Sequence, residues 1–316
     1  MSDNNFYTVA FYNLENLFDT INDPNILDQD YTEDGRLQWD DDRYENKIYK
    51  LSKAIAHIGA KTISAPPTLL GVAEVENKKV LNDLIATEAL ADANYNYIHY
   101  NSPDERGIDT ALLYQADTFE VVRSKAIPLL VYNEEGIRDY TRDILHVFGK
   151  LYGEEIHVFV NHWPSRRQGA GETDYKRIAA AKTLHTVIDQ IRVQEENPKF
   201  IIMGDFNDDP HSPSVKEHLV TSNFYNPMEK LLIPDERGSL THNFSWNVFD
   251  QIIISTNFFD AYRSKLTFLN ADILDEHFLT EWEEKYKGFP FRTYVGTKYL
   301  GGYSDHFPVF IQLKKS

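Results

Sequence analysis

Short apolar runs punctuate the chain from one end to the other. Thr8–Tyr12, Thr68–Ala73, Thr110–Tyr114, Ile156–Val160, Phe200–Met203, Gln251–Ser255 and Pro308–Leu313 are rich in β-branched and aromatic residues and too short for helices. They predict strands. Two other segments repeat with helical spacing: Ile48, Leu51, Ile55 and Ile58 stop at Gly59, and Ile178, Ala181, Leu184, Ile188 and Ile191 stop before Pro198. Helices thus separate some strand candidates, while others, between Thr110 and Val160, are joined by turns. This pattern favours mixed sheets packed on each other and covered by helices over a doubly wound parallel sheet. No linker, repeat or low-complexity tract divides the chain, so residues 1–316 read as a single domain with long loops at Asp19–Asp42, Tyr225–Asn247 and Leu274–Gly302. Loops of that length are usually functional or disordered, and the Tyr, Phe and Trp within them argue against disorder.

Composition narrows the chemistry. With 42% hydrophobic residues in 316 the chain can bury a large core, and with no cysteine it has no disulfide, thiolate metal site or cysteine nucleophile. Any metal must rest on Asp, Glu, Asn or His. The amino end has no basic segment followed by a long apolar one, and no apolar run approaches a membrane span. A cytoplasmic protein is the expectation. The net charge of −17 attracts cations and repels polyanions on average. Ten acids between Asp19 and Glu45 face only Arg36 and Arg43, so that stretch supplies −8 of the total.

Polar groups follow the apolar runs with a regularity that random surface polarity does not produce. Phe200–Met203 leads through Gly204 to Asp205 and Asn207; Val72-Ala73 leads to Glu74 and Glu76; Tyr12 is followed by Asn13; and Val160 by Asn161 and His162. Near the carboxyl end, Gly301-Gly302-Tyr303-Ser304 precedes the adjacent Asp305 and His306. Each alone reads equally as a turn or cap. Together they are hard-metal ligands and acid–base groups at the ends of at least five strands. Either Glu74 or Glu76 could be a ligand.

The ordered set Asn13, Glu74, His162, Gly204-Asp205-Phe206-Asn207, Asp250 and Ser304-Asp305-His306 resembles the endonuclease/exonuclease/phosphatase superfamily, the deoxyribonuclease I-like fold, over nearly the whole chain. The resemblance implies a four-layer α/β sandwich in which two mixed sheets, flanked by helices, open into one metal-containing cleft. It implies that Glu74 holds a divalent cation with Asn13 and Asp305 nearby, Mg²⁺ or in its place Mn²⁺. Asp250 would orient His306, Asp205 and Asn207 would align water and phosphoryl oxygens, and His162 would donate to the phosphate. The implied reaction is in-line attack of water on a phosphodiester. His306, with its ordinary pKa of about 6.5, is the preferred base over Asp205.

Arg166 and Arg167 are candidate phosphate clamps or a solvated turn pair; Arg142, Arg292 and Lys298 are weaker candidates of the same kind. Asp109 reads as structural. The acidic stretch from Asp30 to Asp41 nearly matches a calcium loop but lacks the closing Glu and an entering helix, so it reads as a surface loop pinned by Trp39 and Tyr44. A nuclease is the leading function. The alternatives are a phosphomonoesterase or a lipid phosphodiesterase of the inositol phosphate or sphingomyelin type, and a non-catalytic binding protein on the same scaffold. Nucleic acid is a candidate partner, although a duplex binder should carry more basic surface than the short Arg166-Arg167 and Lys176-Arg177 clusters.

Overall fold

The computed structural model describes residues 5–133, 135–167, 169–242, 244–283 and 285–315. Twelve strands form two six-stranded sheets. In chain order they are β1 (Phe6–Leu17), β2 (Leu69–Val75), β3 (Tyr95–His99), β4 (Asp109–Gln115), β5 (Phe119–Ile127), β6 (Ile144–Leu151), β7 (Glu154–His162), β8 (Lys199–Asp205), β9 (Phe224–Tyr225), β10 (Asp250–Ser255), β11 (Leu266–Ile273) and β12 (Val309–Lys315). The first sheet runs β11-β12-β1-β2-β4-β3 and the second β9-β10-β8-β7-β6-β5. The long helices are α1 (Asp41–His57), α2 (Lys78–Ile85) and α3 (Asp174–Gln194).

Each sheet has one parallel pair, β1 with β2 and β7 with β8; the remaining pairs are antiparallel. Parallel neighbours need a crossover, and these two crossovers contain α1 and α3. That is why helical periodicity interrupts the strand pattern only there. The expected sandwich of two packed mixed sheets flanked by helices is the fold observed.

Packing follows from the pleat. In β8, Ile201 and Met203 enter the core between the sheets, while Phe200 and Ile202 pack with Leu184 and Ile188 of α3 on the other face. Burial on both faces explains the unbroken apolar run of β8. The sheets approach closely at Gly71, where an added Cβ would lie 2.4 Å from the Met203 Sδ. On α1, Ile48, Leu51 and Ile55 are buried as their spacing requires, and Asp40 caps its start by accepting from the Arg43 amide.

Several elements carry no apolar run. β5 is an edge strand whose Glu120, Arg123, Ser124 and Lys125 are not buried, and β11 closes the edge of the other sheet. The loop after β1 is anchored as expected: Trp39 is buried with its indole N–H donating to the Phe18 carbonyl, and the Tyr44 hydroxyl donates to Asp83. Asp30 pairs with Arg36 at 2.7 Å, and no helix enters the calcium-like segment. Among the described residues no helix is long and apolar enough to cross a membrane.

Candidate active site

The carboxyl ends of both parallel pairs point to the same edge of the sandwich. Asn13 follows the apolar part of β1, Glu74 lies near the end of β2, and His162 and Asp205 end β7 and β8 as register partners. Asp250, opposite Asp205 in the ladder, begins β10. Asp305 and His306 precede β12. The open ends of parallel strands are where an α/β sheet gathers ligands, because crossovers leave a crevice there.

Backbone bulges aim the side chains. Glu15, Asn16, Glu74 and Asn207 all have left-handed backbone, φ 51°, 51°, 62° and 50°, and the strand registers shift at Asn13/Leu17 and Ala73/Val75. Such positions cost roughly 1–3 kcal/mol each and persist where surrounding contacts enforce them. The contacts here are specific. Glu74 Oε2 accepts from the Asn16 amide at 2.8 Å, and the Asn207 amide donates to Asp205 Oδ1 at 2.9 Å. Across the sandwich, Asn13 Nδ2 donates to Asp205 Oδ2 at 3.0 Å.

His306 Nδ1 lies 2.7 Å from Asp250 Oδ2, which also accepts from Ser239 Oγ at 2.6 Å. Ligand atoms of Asp205, Asp250 and His306 lie within 4.8 Å of one another. His162 Nε2 stands 3.8 Å from Glu74 Oε1 and 3.7 Å from Asp205 Oδ2, and its Nδ1 is buried without a partner among the described residues.

Electrostatics separates the roles. Burial alone would strip the proton from His306, but Asp250, Asp305 and Asp205 more than reverse it, holding its pKa well above the usual imidazole range. Burial lifts the Asp205 carboxyl to about 7, opposed by His306 and reinforced by Asp250 and Glu74. Both shifts are upward, the His306 one through its carboxylate neighbours and the Asp205 one through burial. Burial and the charges of Arg142, Arg106, His306 and Arg167 keep His162 neutral.

The basic candidates divide differently from the sequence reading. Arg142 is buried and donates to the His162 carbonyl, the Trp163 carbonyl and Asp104, so its guanidinium braces the end of β7 and is committed away from a phosphate. Arg166 donates to the Asn207 carbonyl and to Asp208, bracing the turn after β8. Arg167 is exposed, with its charge reaching His162. Arg106, missed in the sequence for want of a flanking apolar run, reaches the same ring. Glu76 belongs elsewhere: the bulge at Glu74 takes it off that face, and it accepts from the Asp19 amide at 2.7 Å. Asp109 is structural, 3.2 Å from His99.

Glu15 is the other residue sequence reasoning passed over, although it stands two positions after Asn13. Burial and Asp305 raise its carboxyl pKa, and Lys47 lies 3.5 Å away. This acid crowding fits a divalent cation. Glu74 Oε1 lies 3.8 Å from His162 Nε2, Asp305 Oδ1 lies 3.8 Å from His306 Nε2 while Oδ2 takes Arg292 at 2.6 Å, and the donors are carboxylate or amide oxygens that suit a hard ion. The buried Asp250 Oδ1 also has no partner among the described residues.

Residues 8–315 match the Endonuclease/Exonuclease/phosphatase family. The chain belongs to that family. Its members are metal-dependent hydrolases of phosphate esters, and this chain is an enzyme of that class. Solved structures agree on the fold. A humanized D. rerio TDP2 is 13% identical, with 98% of this chain and 100% of that one covered and a TM-score of 0.61. A Bacteroides thetaiotaomicron mannosyl-6-phosphatase is 19% identical, with 97% and 99% covered and a TM-score of 0.60. The human Nocturnin catalytic domain, solved with a bound sulfate anion, is 16% identical, with 98% and 95% covered and a TM-score of 0.59. A sequence search of curated proteins found no match.

Proposed function

We propose that this family member hydrolyses a phosphodiester by in-line attack of water and acts as a nuclease on short or single-stranded nucleic acid. The observation that carries the reading is the opposed pair in one buried cluster: Asp205, titrating near 7, and His306, held protonated by Asp250. Asp205 accepts the proton of the attacking water, oriented together with Asn207. His306 donates toward the phosphoryl group, and neutral His162 adds a hydrogen bond as charge develops. Arg106 and Arg167 offset the charge of the incoming phosphate.

Glu74, Asn13 and Asp305 are the residues to hold a divalent cation, with Glu15 beside them. Bound Mg²⁺ or Mn²⁺ supplies Lewis-acid stabilisation of the phosphoryl and leaving oxygens. The carboxylates crowding the cleft repel the single charge of a diester less than the two charges of a monoester. A net charge of −17 likewise favours short or single-stranded substrates over duplex.

The test compares bis(p-nitrophenyl) phosphate with p-nitrophenyl phosphate in the presence of Mg²⁺, Mn²⁺ or EDTA. Diester hydrolysis should dominate, stop with EDTA and return with metal. Faster monoester cleavage would replace the nuclease reading with a phosphomonoesterase one, and chelator-indifferent turnover would defeat the metal assignment.

A further inference from the structure

A cavity of about 500 Å³ opens beside Asp305, between the loop through Phe244 and the segment from Glu281 to Leu300. Phe244, Tyr286, Phe289 and Phe291 line it, together with the polar side chains of Glu281, Glu283, Arg292 and Lys298. Its size suits a small-molecule site, as does its combination of apolar walls and a few polar groups. Asp305 belongs both to this cavity and to the proposed phosphate centre, where it stands 3.8 Å from His306. A substrate whose phosphate sits at that centre therefore has its adjoining group at the mouth of the cavity.

The cavity is built from pinned backbone. Glu281 N–H donates to the Phe289 carbonyl, Phe291 N–H to Leu279 and Tyr303 N–H to Phe291, all at 2.6–2.8 Å. On the opposite wall, Leu240 bridges to His306, and the Phe307 amide donates to the Ser239 carbonyl. The rings of Phe244 and Tyr286 lie nearly parallel, 12° apart with centroids at 6.0 Å, yet Phe244 remains 56% exposed. The Lys285 ammonium lies 5.1 Å from the Phe244 centroid, and the part of the ring that stays exposed offers stacking surface to a ligand. Parallel ring faces extend most naturally with another flat ring. Carboxylates alongside a guanidinium and an ammonium supply both the acceptors and the donors that a base edge requires. Arg292 is already held by Asp305 at 2.6 Å, so Glu281, Glu283 and Lys298 are the groups to which an acyl chain would offer no polar contact.

We propose that this cavity is a nucleobase subsite, which positions the base of a nucleotide while its phosphate occupies the Asp205–His306 centre. The proposal rests on the phosphoesterase site described above, so its test separates the two. Inhibition by UMP, ribose 5-phosphate and glucose 6-phosphate would be measured against methyl p-nitrophenyl phosphate. UMP and ribose 5-phosphate differ in the base and in the sugar's ring-closing carbon alone. UMP should bind roughly tenfold more tightly or better, in line with base–aromatic stacking elsewhere. In Phe244→Ala and Phe289→Ala that ratio should fall toward one.

Equal inhibition by UMP and ribose 5-phosphate in the wild type would overturn the subsite. So would a ratio surviving both substitutions, or tighter binding of glucose 6-phosphate than of UMP. A His306→Ala variant that still turns over at the wild-type rate would instead overturn the reaction centre, while tryptophan fluorescence in the same variant continues to read the UMP preference.

Discussion

Replacing Asp250 with Asn tests how the site holds its proton. The Asp250 carboxylate is fully buried and meets His306 Nδ1 at 2.7 Å. At that separation a unit charge pair is worth roughly 6 kcal/mol with an effective dielectric of about 20. Because burial opposes protonation of His306, losing this partner should move the imidazole midpoint down by several pH units. The amide keeps the shape and can still bond Ser239, so the fold should survive. Turnover at pH 7 should then drop by about 10²–10⁴, the usual contribution of a positioned acid–base group. His306 titration is followed by imidazole NMR and turnover with methyl p-nitrophenyl phosphate at saturating Mg²⁺. If Asp250→Asn retained turnover within about threefold, against the 10² or more expected, or if the His306 midpoint did not fall, the argument that Asp250 holds the proton would be refuted.

Glu74→Ala should raise the Mg²⁺ concentration for half-maximal activity by roughly 10- to 100-fold or more, with matching weakening of Mn²⁺ binding by calorimetry; wild-type binding would remove Glu74 from the ligand set. Asp208→Asn should cost about 3–5 kcal/mol in urea unfolding, since fully buried Arg177, 2.6 Å away, then keeps only the half-exposed Asp174 at 2.7 Å as a carboxylate partner, and Arg166 loses the same Asp208 charge. A loss below about 1 kcal/mol, the range of an exposed pair, would show that the pair is solvated. Acid should reveal His146, whose pKa burial and His157 lower from 6.5 to about 3. The unfolded chain takes that proton first, so its contribution to stability is full above pH 6.5 and is lost as pH falls toward 3, by at most about 1.4 kcal/mol per pH unit. Between pH 7.5 and 4.5 the wild type should therefore lose more stability than His146→Gln, by roughly 2–3 kcal/mol; equal losses would refute the assignment.

The legible parts of the fold were those whose local pattern coincides with burial. β8 shows an unbroken apolar run because both its faces are covered, and α1 and α3 show helical spacing because one side of each meets the core. Edge strand β5 was hidden because exposure lets polar residues occupy it. Arg106 and Glu15 escaped notice for a different reason. Their significance lies in charges that reach His162 and Asp305 through space, and no spacing along the chain records that.

By itself, the order of apolar and polar residues determined that strands end in acids, amides and imidazoles, and that helices connect only some of them. Those facts follow from local periodicity. Tertiary structure decided which groups meet and in which protonation state, because left-handed bulges aim Glu74 into the cleft and turn Glu76 away from it. It also raised the pKa of both Asp205 and His306, the first through burial and the second through its carboxylate neighbours, since a pKa depends on burial and neighbouring charge as well as on residue type. Arg142, a candidate phosphate ligand by sequence, became a buried brace because its guanidinium donates to the carbonyls of His162 and Trp163 at the end of β7 and to Asp104.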